Sequence, residues 1–339
     1  MNKDDIKNDI CSSPPFLEKI FNIRDSDDVL NILNTEYKQK EEYKQSQCFQ
    51  KCNILCVGEK YKIKIANAIG YKDDLKDDIK IRNDAYRILN VNNLNDMVDK
   101  LGNVYKNKFT SKDIIIMKSN LKVKGPTDNT WLDNYNIDEI LKRMSTKLML
   151  YNRRKHYHSK FGMSGIYGSV HPTTGKTYSP QKHLSDIDMY GLYKEGYTSF
   201  SVVMNTDFQW GSGIHWYAMY VDMTGKGLST DNKPAFTVEY FNSAGNANLS
   251  ADTNRWLEDT VGNLTSGLRN DINKPNYIVE KIINTTFHQT STNTECGVYS
   301  ILYILSRMFG VSHRKINSKP LQDIIMEKWV RLLLFIDKN

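Results

Sequence analysis

Between residues 113 and 339 the hydrophobic and polar positions change rhythm repeatedly, and each change predicts an element. After the Gly125-Pro126 punctuation, Trp131-Leu132-Asp133-Asn134 leads into Ile137, Ile140 and Leu141, a helix start with an apolar stripe. Residues 151–197 are rich in Tyr, Gly and His and show no period, so loops and short strands are expected there. Strand patterns follow at Phe200–Met204, His215–Met223 and Thr237–Phe241, all β-branched and aromatic. Trp256, Val261, Leu264 and Leu268 repeat at helical spacing within a helix over about 252–268, and Tyr277–Ile283 reads as a further strand. Val298, Ile301, Leu302 and Leu305 describe a helix from Cys296 to Phe309 that stops at Gly310. A last amphipathic helix is expected from about Pro320 to Phe335.

Residues 1–112 have another texture. Asp, Asn, Lys and Ile dominate and aromatics are few. Ser26-Asp27-Asp28 before Val29, Leu30, Ile32 and Leu33 is a helix start, and Tyr71–Val98 repeats the style. The expected organisation is a mostly helical arm domain over 1–112 and an α+β core over 113–339, since strands and helices interleave in the latter.

Composition narrows the function classes. The chain has 339 residues, 40% of them hydrophobic and 11% aromatic, which is enough for a sizeable core and excludes a disordered chain. No apolar run approaches the roughly 18 residues of a membrane span, and the polar start MNKDDIKNDI lacks the apolar stretch of a signal peptide. A soluble, non-secreted protein is expected. The net charge of +7 is spread along the chain, with 20 basic and 18 acidic residues in 1–112 and 26 and 21 in the remainder. Weak nucleic-acid contact is permitted by this balance and not argued by it.

Four of the five cysteines, Cys11, Cys48, Cys52 and Cys56, precede residue 57, so a disulfide-stapled fold is excluded and Cys296 stands alone in the core. Cys48, Cys52 and Cys56 recur every four residues, which spreads three ligands over about 12 Å of helix rise and fits packing better than one zinc. His156 and His158, and His183 with Asp186 and Asp188, show no zinc-ligand spacing either, and no cofactor motif is present. Cys296, in Thr294-Glu295-Cys296-Gly297, opens a predicted helix, where unpaired N–H groups and the helix dipole favour a thiolate and a depressed pKa. A thiol nucleophile needs a proton acceptor, and His215 opens a strand after the Gly-rich loop Trp210-Gly211-Ser212-Gly213. An orienting third residue is available in Asn242, at the end of the next strand. Gln289 offers a side-chain N–H to an oxyanion, with the Cys296 backbone N–H as the second donor. The order His, Asn, Gln, Cys, each at the edge of an element, points to nucleophilic catalysis, whereas each residue alone has an ordinary structural explanation.

The segments HWYAMYVDM, EYFNSAGN and HQTSTNTECGVYS, with WLDNYNIDEIL upstream, resemble the adenain and SUMO-protease clan of cysteine peptidases, most closely its African swine fever virus-type SUMO-1-like polyprotein proteases. The resemblance covers about 110–339. It implies a mixed sheet flanked by helices, with an arm domain ahead of it. It also implies a Cys296, His215, Asn242 triad with Gln289 as oxyanion donor. The Gln-to-Cys spacing is seven here against about six in much of the clan, which leaves Asn293 as a second polar donor. The implied substrates are viral core polyproteins cut after Gly-Gly-X motifs, in host-cytoplasm assembly sites and the virion core. Trp210 and Trp216 would then roof a narrow groove suited to glycine. The same machinery serves ubiquitin-like-modifier deconjugation, and an acetyltransferase in the clan uses the same His and Cys. A non-enzymatic binding protein on this fold is the alternative from a different class.

Overall fold

A computed structural model describes residues 59–336 except 120–122, 129, 179–181, 230, 246–248, 272–276, 291–292 and 319. Cys11, Cys48, Cys52, Cys56 and the helix expected after Ser26 lie outside the described residues, as does the His183 side chain.

Four helices come first: α1 (Glu59–Ile69), α2 (Asp78–Leu89), α3 (Leu94–Val104) and α4 (Ser111–Ser119). Asp77 and Asn93 cap α2 and α3 by accepting from the backbone N–H three residues on, which supplies partners for otherwise orphaned donors. Their apolar faces close one cluster, with Ile65, Ile81, Met97, Leu101 and Met117 at 0% exposure. A short strand β1 (Val123–Lys124) leads to α5 (Asn134–Asn152), which starts where the sequence pattern predicts. Asp133 and Asn136 form a reciprocal capping box at its first turn.

The main sheet has six strands. β2 (Lys155–His158) and β3 (Gly162–Ser164) both pair in parallel with β6 (Tyr197–Phe208). β6, β7 (Trp216–Leu228) and β8 (Pro234–Phe241) are antiparallel neighbours, and β9 (Ile278–Ile283) runs parallel to β8 after the crossover helix α8 (Ala251–Arg269). The order β2-β6-β7-β8-β9 makes this a mixed sheet, as expected. Both of its faces are covered, so the central strands read as continuous apolar runs. Period-two alternation sorts their side chains: Trp216, Ala218 and Tyr220 join one core cluster, and Tyr217, Met219, Val221 and Met223 join the other. The first cluster is shared with α5 and with α9 (Cys296–Met308), and the second with α8. Every residue of α9 is buried, which is why apolar residues lie on all sides of that helix and its one charge, Arg307, is paired.

Three regions differ from the sequence reading. Between residues 151 and 197 the short strands β4 (Ser169–Val170) and β5 (Thr177–Tyr178) are joined by two short helices, α6 (Lys182–Ser185) and α7 (Met189–Lys194). A single helical turn is too short to show a 3.6-residue period. A further short helix, α10 (His313–Ser318), follows α9. The helix expected over 320–335 is α11 (Asp323–Ile325), a π-helical turn (Met326–Val330) and α12 (Arg331–Leu334), ending in β10 (Phe335–Ile336) paired in parallel with β1. The π turn ends directly before Arg331, whose side chain is fully buried. Among the described residues no helix is long and apolar enough to cross a membrane.

Candidate active site

His215 is the last residue of the loop that joins β6 to β7. Asn205, buried near the end of β6, holds this loop: its Oδ1 accepts from the backbone N–H of Asp207 (2.9 Å) and of Ile214 (3.0 Å). Gly213 donates to Asp207 Oδ2 at 2.9 Å and has φ +93°, a conformation that favours glycine. Thr206 N–H donates to the His215 carbonyl at 2.9 Å, so the loop closes just before β7.

Asn242 is the first residue after β8. The antiparallel register pairs Ala218 with Phe241, so the start of β7 lies beside the end of β8, as the strand reading requires. His215 Nε2 is 2.8 Å from Asn242 Oδ1. The amide orientation is set on both sides, because Ala244 N–H donates to the same Oδ1 (2.9 Å) and Asn242 Nδ2 donates to the Tyr240 hydroxyl (3.1 Å). An Oδ1 can only accept, so Nε2 carries the proton and Nδ1 keeps its lone pair. Burial lowers the His215 pKa, and the Asn242 contact opposes that shift.

Cys296 begins α9 with its side chain buried, and the backbone N–H groups of Trp216 and Gly297 act on its sulfur. The Trp216 contact places the thiol beside the residue that follows His215. The sequence pattern predicts a depressed thiol pKa at this helix start. The structure corrects this: burial pushes the Cys296 thiol up, and the neighbouring Glu295 carboxylate adds to the rise against those N–H groups. Desolvation outweighs the helix terminus, so thiol and imidazole both favour their neutral forms. Gly297 is where α9 comes closest to its surroundings, since a Cβ there would meet Leu132 at 3.2 Å and Trp216 Cδ1 at 3.3 Å.

Gln289 is partly buried and spans two loops. Its Oε1 accepts from the Ser243 hydroxyl (2.7 Å) and its Nε2 donates to the Asn293 carbonyl (2.5 Å). One N–H of that amide is thus engaged and the second is left for another acceptor. The Asn293 side chain is turned into its own loop, with Oδ1 accepting from Glu295 N–H at 2.7 Å. Trp216 lies in the core, its indole N–H donating to the Leu132 carbonyl at 3.1 Å. Trp210 stacks on Phe208 (4.8 Å between ring centroids) and contacts His171 and Tyr178.

Several supporting residues escaped the sequence reading. Asn284 Oδ1 accepts from Asn242 N–H at 2.6 Å and its Nδ2 donates to the Asn242 carbonyl at 3.0 Å. The signal was present, since Asn284 ends the run IVEKIIN as Asn242 ends TVEYFN. Arg331 grips Glu295 through two N–H···O contacts (2.6 and 3.1 Å) and reaches the Thr130 carbonyl at 2.7 Å. On the far side of α9, Arg307 binds Glu239 twice (2.8 Å each) and Asp222 (3.1 Å), while the Tyr303 hydroxyl donates to Glu239 at 2.6 Å. These buried charges tie α9 to β7 and β8. Trp131 is exposed and precedes Leu132, whose carbonyl accepts from the Trp216 indole.

Comparison with known proteins places this geometry. The Ulp1 protease family, C-terminal catalytic domain, matches residues 201–332. The SUMO-1 cysteine protease of African swine fever virus, from a South African tick isolate, is 31% identical over 227 residues, covering 63% of this chain and 71% of that protein. The cysteine protease of a Malawian tick isolate of the same virus is 30% identical over the same shares. A crystal structure of the African swine fever virus protease superposes with a TM-score of 0.53 at 24% identity, over 83% of this chain and 91% of that one, a likeness of fold. The chain belongs to the Ulp1-type SUMO-protease family of cysteine peptidases, with the African swine fever virus protease among its relatives.

Proposed function

We propose that this cysteine peptidase is a viral endopeptidase that cleaves core polyprotein precursors after Gly-Gly-X sites, with Cys296 as nucleophile, His215 as general base and Asn242 as the residue that orients it. The contact that carries the reading is His215 Nε2 to Asn242 Oδ1 at 2.8 Å, with the Cys296 sulfur beside the Trp216 backbone. The tautomer leaves Nδ1 to take the thiol proton as sulfur attacks the scissile carbonyl carbon. The imidazolium donates to the Asn242 oxygen and then protonates the leaving amine. A water deprotonated by His215 attacks the thioester, and Cys296 departs as the thiol. The Cys296 backbone N–H and the remaining Gln289 N–H stabilise the oxyanion. The Asn293 side chain, engaged with Glu295 N–H, is the weaker candidate for that role.

Trp131 is a better placed groove wall than Trp216, because it is exposed whereas Trp216 is buried. Glycine suits a site beside such a ring, since it has no side chain to collide with it. The apolar cluster of α1–α4 supports a helical arm domain ahead of the core, but it takes in Met117, so the arm runs through α4 to Ser119 rather than ending at the expected 1–112 boundary with a core over 113–339. The same reading places the protein in host-cytoplasm assembly sites and in the virion core.

The test is hydrolysis of a Gly-Gly-X reporter peptide by the wild type and by Cys296→Ala, beside a SUMO-type conjugate. Peptide turnover that vanishes with the thiol supports the proposal. Cleavage of the conjugate alone supports modifier deconjugation instead. Binding without any turnover, and with an unreactive Cys296, supports a non-enzymatic role.

A further inference from the structure

We propose that Asn284 is a positioning residue for catalysis that acts through Asn242, an inference that rests on the triad reading above. The parallel β8–β9 ladder ends at the Tyr240–Ile283 pair, and Asn284 N–H donates to the Tyr240 carbonyl at 3.1 Å. Beyond that rung the 242–245 chain turns away from β9. Backbone pairing resumes only at Ser243, whose carbonyl accepts from His288 and Gln289 N–H (2.8 and 2.9 Å), and at an Ala244–Phe287 bridge, so the Asn242 N–H is left without a backbone partner from β9. The Asn284 side chain takes over. Its Oδ1 accepts from Asn242 N–H at 2.6 Å, and its Nδ2 donates to the Asn242 carbonyl at 3.0 Å and to the Thr286 carbonyl at 3.1 Å.

One primary amide therefore reproduces the donor and acceptor of a peptide group and adds a rung to the sheet where the backbone cannot. Asn284 is 3% exposed and Asn242 is 4% exposed, so water does not replace these bonds. The consequence reaches the imidazole. Asn242 Oδ1 meets His215 Nε2 at 2.8 Å only while the Asn242 backbone is held. Asn284 holds the Asn242 N–H and shares its carbonyl with Gly245 N–H (2.9 Å), and Tyr240 and Ala244 fix the side-chain amide. Few replacements can do this: an ionised carboxylate accepts but cannot donate, leucine does neither, and glutamine is one methylene too long.

A double-mutant cycle on the full-length protein tests the assignment, using wild type, Asn284→Ala, Asn242→Ala and the double variant. The readouts are kcat and KM on the Gly-Gly-X reporter peptide, the rate at which iodoacetamide alkylates Cys296 by mass mapping, and the thermal unfolding midpoint. Misplacement near the chemistry costs on the order of 10²-fold in kcat, with KM nearly unchanged. In the Asn242→Ala background the same Asn284 substitution should cost under about threefold, because the route through Asn242 is already gone. Equal losses in both backgrounds, or a loss confined to KM, overturn the proposal.

Where Asn284→Ala does not fold, Asn284→Asp decides. A protonated carboxyl both donates and accepts, as the amide does, whereas the carboxylate would face two carbonyl oxygens. Activity relative to wild type should fall as pH rises between about 5 and 8, because burial raises a carboxyl pKa. A flat or rising ratio overturns the proposal. A wild type inert towards peptide and iodoacetamide overturns the triad reading and this inference with it, whereas an active wild type with additive losses overturns this inference alone.

Discussion

Replacing Arg331 by methionine isolates the forces that hold the start of α9, and with it Cys296, in place. Arg331 and Glu295 are both at 0% exposure, and Glu295 immediately precedes Cys296. The guanidinium makes four contacts: two to the carboxylate, at 2.6 and 3.1 Å, and two to the carbonyls of Thr130 (2.7 Å) and Pro126 (3.3 Å). A methionine of similar length fills much of the space and satisfies none of these acceptors. Breaking a buried pair leaves an uncompensated charge and costs about 3–5 kcal/mol. Against a total stability of roughly 5–15 kcal/mol this is a large share, equivalent to about 4–7 °C in Tm for a chain of this length. The assay is urea unfolding followed by tryptophan fluorescence, for wild type, Arg331→Met, Glu295→Gln and the double variant. The double variant should lose little more than either single, since the two side chains act as one unit. The pH dependence has a defined sign. Burial already raises the Glu295 carboxyl pKa against the pull of Arg331, and removing Arg331 raises it further, so the deficit is largest at neutral pH and shrinks as pH falls through that further raised pKa. Full exposure of the carboxylate's charge to Cys296 also raises the thiol pKa further and slows its alkylation. A deficit under about 1 kcal/mol, or additive losses in the cycle, would refute the reasoning.

Three further outcomes are expected. Gln289→Ala should lower kcat by about 10²–10³-fold with a small change in KM, and a change in KM alone would remove Gln289 from the oxyanion site. Asn242→Asp keeps every contact of the wild-type amide, with the Tyr240 hydroxyl donating instead of accepting. A carboxylate facing the imidazole favours the charged ring, so the acid limb of kcat/KM should move up by about one pH unit, and a downward shift would contradict the neutral-pair description. His288 packs against Phe241 and Tyr299, and burial brings its imidazole down to about 4. Its folded pKa lies below the unfolded one, so the stability it contributes is complete above pH 6.5 and falls by about 3 kcal/mol as pH drops to 4. Urea unfolding of His288→Gln should show a flatter acid limb than wild type, and an unchanged limb would refute the assignment.

By itself the sequence determined the strands β6 to β9, the helices α5, α8 and α9, and the positions of His215, Asn242 and Cys296 at their edges. Those features are local. Period-two and helical patterning mark which face is buried, and glycine and asparagine mark where elements stop, so a single chain segment carries the whole signal. Only the tertiary structure decided what depends on partners distant in sequence. The short helices within 151–197 and the π turn after Ile325 lack enough residues to show a period. Arg331 falls within the helix expected over 320–335, and it is buried because Glu295, 36 positions earlier, lies opposite it. Asn284 reads as a strand terminator, yet it supplies a sheet rung because β9 ends one residue before the ladder is needed. The thiol pKa reverses for the same reason. A helix start favours the thiolate, and that much is legible in sequence, but the burial that overrides it is created by β7, α5 and the C-terminal segment folding around Cys296.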